Sequence, residues 1–276
     1  MPAADALALL HALHEADELV DAADLTRTAA HRATASAVVA GTGPIAVGVV
    51  VGLVVAGVGA VYVETKGVAG GGDLGTGLID VDRGRPRLDA VRAAVSRRVP
   101  AASVGPPPRT LLPDLVVLAD EVPEPAKIAE LMGTGTAHLA ARMRDGVGVV
   151  GPLVLPRRSA CLGCLDLQRS AFDPGWPVVA AQLVGRRGGA EPVCVTATAA
   201  IATAQALAAL DATTGAAVPP PTLDATLEVD PAAATVVRRH WSAVPECWCG
   251  AADGRIDHVP TDLSRAPALR GVTIEG

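Results

Sequence analysis

The sequence predicts an α/β fold built on a doubly wound, largely parallel sheet that ends in a C-terminal antiparallel hairpin clipped by a zinc site. Three observations predict it. Apolar segments of strand and helix type alternate along the chain. The first strand-like run passes into a helix through a glycine turn. Four of five cysteines stand in two short pairs, one mid-chain and one beside the late hairpin. Length and composition agree: 276 residues, half of them hydrophobic, bury a full core, and with one Phe, one Tyr and three Trp that core is made of Ala, Val, Leu and Ile. Wholesale disorder is excluded. A net charge of −6 and so few rings leave neither the basic field nor the stacking platforms that nucleic acid requires.

In chain order, Leu7, Leu9, Leu10, Leu13 and Leu19 fall at helical spacing, so residues 1–34 read as an N-terminal helical segment with one amphipathic helix and a short second one. This start mixes acids and histidines and lacks the basic flank of a signal peptide. The run from Ala37 to Val63 carries no charge and has the length of a membrane span. Its breaks at Gly41-Thr42-Gly43-Pro44 and Gly57-Val58-Gly59 divide it instead into a strand SAVVA, a helix opened by Pro44 and a strand AVYVE. A crossover buried between parallel strands is apolar on nearly every face, so no membrane partner is expected.

The glycine-rich loop KGVAGGGDLGTG follows, then a helix marked by Leu88, Val91, Val95 and Val99. LPDLVVLADE reads as a buried strand ending in acids, PEPAKIAELMG as a helix, and TAHLAARM and GVGVVGPLVL as further strands in the alternation. A long Ala-rich helix begins at PVCVTATAAI, GAAVPPPT is a linker, and TLDATLEV with ATVVRRHW forms the hairpin. Residues 35–276 are expected to form one continuous domain.

Two constellations carry chemistry. The turn Gly41-x-Gly43-x-x-Ala46 lies between strand and helix, where backbone N–H groups face a phosphate, and Glu64 ends the next strand where a ribose would be held. The plainer alternative is a tight turn and an exposed strand end; a nicotinamide-dinucleotide site is a further one. Cys161-Leu-Gly-Cys164 with Cys247-Trp-Cys249 supplies the four thiolates of a closed tetrahedral zinc site, against the alternatives of a redox Cys-x-x-Cys or incidental reduced cysteines. Such a metal would close a loop of 82 residues, 165 to 246, and hold the hairpin on the sheet. Five cysteines without a disulfide scaffold point to a reducing, cytoplasmic compartment. Cys194 reads as a small buried hydrophobe, and the arginine pairs 97–98, 157–158, 186–187 and 238–239 as surface charges. No Ser–His–Asp order, H-E-x-x-H or phosphate-loop motif occurs, so hydrolase, metalloprotease and P-loop chemistries have no support.

Taken together, SAVVAGTGPIAVGVVVGLVVAGVGAVYVE, DLVVLADE, CLGCL and ECWCG resemble the ThiF, MoeB and ubiquitin-activating-enzyme superfamily over about residues 36–250. The resemblance implies a Rossmann-like fold, frequently dimeric, that adenylates the C-terminus of a small carrier protein with ATP and magnesium and carries a four-cysteine zinc. It implies phosphate at the Gly41–Gly43 turn, ribose near Glu64, and magnesium at Asp120 or Glu121. The sequence also departs from that pattern. The acids expected after the second strand fall on Thr65 and Gly67, and the Asn-Leu-x-Arg-Gln segment falls on Asp73-Leu74-Gly75-Thr76-Gly77. Arg87 stands where a lysine is expected, a planar fork in place of a compact ammonium. Losing groups that neutralise a transferring phosphate predicts poor or absent ATP turnover and no catalytic residue. No cysteine lies between Leu165 and Val193, so thioester chemistry is not expected. The segment DLQRSAFDPGWPVVAAQL is similar to ThiF-like proteins of azole- and azoline-forming peptide-modification systems. That likeness implies a pseudoenzyme that binds a peptide or small carrier protein beside a modifying enzyme, with residues 1–34 as the remnant of a peptide-clamping module.

Overall fold

A computed structural model describes residues 3–15, 22–212 and 219–252. Leu19, the first half of the GAAVPPPT linker and the tail after residue 252 lie outside the described residues. Two helices, α1 (Ala3–Glu15) and α2 (Ala22–Thr34), precede the sheet. Leu7, Leu9 and Leu10 of α1 are exposed, so its apolar stripe does not face the core. α2 is anchored by Arg32, which pairs with Asp211 at the end of the long helix described below.

The uncharged run folds as its breaks require. β1 (Ser36–Ala40) enters α3 (Pro44–Val55), which returns through Gly57 to β2 (Ala60–Glu64). Pro44 occupies the first turn, where its missing N–H is harmless. Ile45, Val49, Val50 and Leu53 of α3 are at most 1% exposed, and each such side chain contributes about 1.5–3 kcal/mol by leaving water. α4 (Arg87–Arg98), β3 (Leu115–Asp120) and α5 (Pro125–Thr134) continue the alternation.

The strands lie in the order β2-β1-β3-β4-β5-β6-β7, with β4 at His138–Arg144, β5 at Val147–Val154, β6 at Ala225–Asp230 and β7 at Thr235–His240. The first four are parallel, and only β5 and β7 run against the others. Among the described residues, the strict alternation expected from the sequence fails twice: three helices follow one another between β5 and β6, and no helix separates β4 from β5. β4 and β5 pair directly as an antiparallel hairpin, with no helix between them. The reason is local: Asp145 and Gly146 both hold positive φ, 50° and 82°, a two-residue bend that favours Asp-Gly and whose twist matches the strands.

Helices cover both faces. α3, α4 and α8 (Pro192–Asp211) share one core cluster, while α5 and α6 (Leu162–Phe172) cover part of the other face. α7 (Trp176–Leu183) has no buried residue. α8 is the one described helix long and apolar enough to cross a membrane by length and composition. In this fold its Thr198, Ala199, Ala202 and Ala206 are buried. Its small residues let α3 approach so closely that a Cβ on Gly48 would lie 2.8 Å from the Ala199 Cβ.

Candidate functional site

The turn after β1 sits at the carboxyl edge of the parallel strands, where open α/β sheets bind ligands. Both turn glycines are required by close approach. A Cβ on Gly41 would meet the Ala119 carbonyl oxygen at 2.6 Å, and one on Gly43 would meet the Asp120 carboxylate at 2.5 Å. Asp120 ends β3 with φ at 72°, 2% exposed, and turns its carboxylate onto the start of α3. There it accepts hydrogen bonds from the N–H groups of Gly43 (3.0 Å), Ile45 (2.9 Å) and Ala46 (3.0 Å). Those donors are what a helix N-terminus offers a phosphate. Burial pushes the Asp120 carboxyl up from its usual range, while the three N–H groups and Arg187 pull against it. Beside it, Thr42 donates to Glu121.

Asp73 draws two cations to the same place. Only 1% exposed, it accepts from Arg187 Nη1 at 2.6 Å, from Arg87 Nη2 at 2.8 Å and from the Gly70 N–H at 2.7 Å. Burial by itself would push this carboxyl up; the Gly70 N–H and the two guanidiniums together hold it below the usual carboxylate range. Arg187 also donates to the Thr42 carbonyl at 3.0 Å, which fastens the segment before α8 across the turn. A cavity of about 340 Å³ remains between Pro44, Ile45, Asp120, Met143, Arg187 and Gly188.

Of the residues the sequence suggested for this site, Gly41, Gly43, Asp120 and Arg87 therefore lie around one turn. Glu64 is exposed at the end of β2 and bonded to Lys127 Nζ at 3.0 Å. Thr65 and Gly67 supply no carboxylate, and the Thr65 hydroxyl is buried without a partner. Arg187 is the residue that sequence reasoning missed. Read as a surface charge, it is in fact an ion-pair partner of buried Asp73. The only signal was Arg186-Arg187-Gly188-Gly189 just ahead of a long helix, a run in which Gly188 lets the chain pass close to Met143.

The four paired cysteines converge at the opposite edge of the sheet, beyond the end of β5, where Val154 stands opposite His138. All four are buried and their sulfurs lie within 4.8 Å of one another. Cys161 is 3.9 Å from Cys164 and 3.6 Å from Cys247, and Cys164 is 3.5 Å from Cys249. A tetrahedral site with a Zn–S distance of about 2.3 Å has sulfur–sulfur edges of about 3.8 Å, so the cluster has the size of a four-thiolate metal site. The chain turns straight after the short Cys-x-Cys pair, where Gly250 has φ 65° and its N–H donates to the Cys247 carbonyl at 3.2 Å. Hydrogen bonds with Cys161, Cys247 and Cys249 pull the Cys164 thiol down, and bonding to Cys164, Cys247 and Cys249 pushes Cys161 up. The Val244 N–H donates to Cys164 Sγ at 3.5 Å, the outer support such sulfurs need. Cys194 stands apart in α8, 6% exposed, with its thiol donating to the Val229 carbonyl at 3.5 Å.

No family model matches the sequence, and no curated protein matches it. Solved structures do. The chain is similar to E. coli MccB crystallised with AMPCPP and MccA, with a TM-score of 0.69 at 14% identity over 91% of this chain and 83% of that one. It is also similar to the microcin C7 biosynthetic enzyme MccB in complex with N-formylated MccA, with a TM-score of 0.64 at 13% identity over 81% of this chain and 69% of that one. PaaA gives a TM-score of 0.59 at 12% identity over 78% of this chain and 75% of its own. At these identities the likeness establishes a shared fold.

Proposed function

We propose that this chain is a ThiF-like protein of the adenylating-enzyme superfamily whose nucleotide site is degenerate, and that it serves as a peptide- or protein-binding subunit in peptide modification. The fold likeness to MccB, solved with MccA, supports the superfamily and the kind of partner. One observation carries the degenerate site: the Asp120 carboxylate takes the three N–H donors that a phosphate would need. Hydrogen bonds to a charged group are worth about 1.5–3 kcal/mol each, so an incoming phosphate must displace several kcal/mol of existing interaction and then face a carboxylate. The two nearby guanidiniums are already neutralised by Asp73. As arranged, these residues do not fit a triphosphate, and no step is routed through one.

The cysteine cluster, by contrast, fits zinc. Cys161, Cys164, Cys247 and Cys249 would hold the ion with no open position, which makes its role structural: it ties the segment after β5 to the end of the hairpin.

Titration calorimetry with Mg·ATP tests the main reading. No heat of binding is expected up to millimolar nucleotide, and micromolar affinity would sink it. A second reading, an active adenylyltransferase, is favoured by one observation, the solution of MccB with ATP in the same fold. Pyrophosphate–ATP exchange in the presence of peptides encoded beside this gene separates the two, since only an active enzyme gives exchange. Direct binding of those peptides, followed by fluorescence polarisation, tests the partner assignment.

A further inference from the structure

The face of the sheet turned toward α6 and α7 carries a second group of charges, separate from the nucleotide turn. Arg142 stands on β4 between Asp120 of β3 and Val149 of β5. Asp120 is committed to α3, and Val149 offers no charge. Two residues away on its own strand, Arg144 has the same sign and is already bonded to Glu228 at 3.0 Å. Above them Arg169 of α6 is fixed between two indole rings, 4.9 Å from the centre of Trp176 and 5.1 Å from that of Trp241. Asp166, the one carboxylate on α6, is 3.6 Å from Arg169 and accepts from Trp176 Nε1 at 3.0 Å. Arg239, from β7, shares Glu228 with Arg144.

The Arg142 side chain makes no hydrogen bond or ion pair among the described residues, although it is half-buried. Four guanidiniums, Arg142, Arg144, Arg169 and Arg239, face two carboxylates, Asp166 and Glu228. The local sum is 4 − 2 = +2 in a chain whose net charge is −6. Burial and the like charges of Arg169 and Arg144 outweigh the attraction of Asp166 and push Arg142 down to about 10, still protonated at neutral pH. A guanidinium cannot escape by losing its proton there, and a fork that is half-buried yet still open to solvent, with no protein acceptor, gives up part of its hydration. An oxyanion of matching planar geometry relieves that cost, and a carboxylate accepts both arms of the fork.

We propose that Arg142, supported by the tryptophan-clamped Arg169, is a binding site for a carboxylate on an acidic segment of a polypeptide partner. The proposal rests on the reading of this chain as a peptide- or protein-binding subunit and adds the chemistry of what it recognises. Arg142 is the register neighbour of Asp120, so a segment seated here runs past the carboxyl edge of the parallel strands. Arg169 acts as a positioning residue: stacked between two rings, its charge is held in place with little rotamer freedom left to lose on binding.

The test uses the full chain, with terminally blocked hexaglutamate, hexalysine and inorganic phosphate as probes. Trp176 and Trp241 flank the site, so tryptophan fluorescence reports binding and calorimetry measures it. Hexaglutamate is expected to bind and hexalysine not to. Arg142→Gln should weaken hexaglutamate at least 5-fold, Arg142→Lys less, and Arg98→Gln, an exposed arginine on α4, should have no effect. Arg142→Gln is expected to melt no lower than the parent, because no partner is lost, which separates a binding defect from misfolding. Equal binding by the parent and Arg142→Gln, or none at millimolar hexaglutamate, overturns the proposal. Phosphate binding as tightly as hexaglutamate and competing with it overturns the polypeptide assignment. Neither result involves Mg·ATP, so a failure here is distinguishable from a failure of the degenerate-site reading.

Discussion

The two edges of the sheet hold two polar sites in opposite electrostatic condition. At the carboxyl edge, donors and acceptors from the same chain satisfy one another: three backbone N–H groups meet Asp120, and two arginines meet Asp73. At the other edge four thiols are crowded together with nothing of opposite charge among them. On the function proposed above, the first site would resist a ligand because binding must first break existing bonds, while the second would gain from a cation because repulsion between thiolates turns into coordination. Pre-arranged geometry is therefore not enough to identify a working site. What matters is whether the arranged groups are already paired.

The largest effect should come from the thiol edge. Elemental analysis of freshly reduced protein is expected to give one zinc per chain, and Cys161→Ser should lose the metal with more than about 4 kcal/mol of stability. Metal-free protein with the stability of the parent would break the comparison. At the opposite edge, Asp120→Ala leaves three N–H groups without their acceptor and should cost about 2–5 kcal/mol in urea unfolding. The same variant should gain stabilisation from inorganic phosphate, measured as a rise in melting temperature that the parent does not show.

Acid should act through His138 before it breaks the arginine pairs of Asp73, Asp82 and Glu228. His138, fully buried opposite Val154, donates from Nδ1 to the Thr136 carbonyl, and burial pushes its pKa down to about 4. The unfolded chain binds that proton more readily, so this contribution is complete above about pH 6.5 and is lost on the way down to about pH 4, roughly 3 kcal/mol in all. Asp73, Asp82 and Glu228 are all held below their usual range, in spite of burial, by arginine and, for the two aspartates, backbone hydrogen bonds. Their contribution is full above about pH 5 and disappears only as the pH falls below about 4. Urea unfolding of the parent and of His138→Leu at pH 7, 5.5 and 4.5 checks the order: the variant should show a flatter dependence.

The smallest effects sharpen the picture of the Asp73 pair. The Arg87 side chain is 12% exposed and that of Arg187 37%. Arg87→Met should therefore cost about 1–2 kcal/mol, and Arg187→Met less than about 1 kcal/mol because solvent screens the more open pair. Equal losses would mean that the strap before α8 matters more to folding than its exposure implies.

The boundaries of β1, α3 and β2 could be read from punctuation, because glycine and proline act on their own φ angles and need no distant partner. The cysteine pairs were equally legible, since zinc accepts few ligand types and the spacing is short-range. Arg187 was not, nor the occupation of the α3 N-terminus by Asp120, nor the lack of a partner at Arg142. Each depends on which residues far apart in the chain arrive beside one another: 77 positions separate Gly43 from Asp120, and 114 separate Asp73 from Arg187. By itself the sequence determined most of the strands, the α3 and α8 helices and the two cysteine pairs, because those follow from side-chain shape and local backbone preference. Only the tertiary structure decided which charges cancel and which remain, because electrostatic pairing falls off within a few ångströms and is set by strand order, not by position in the chain.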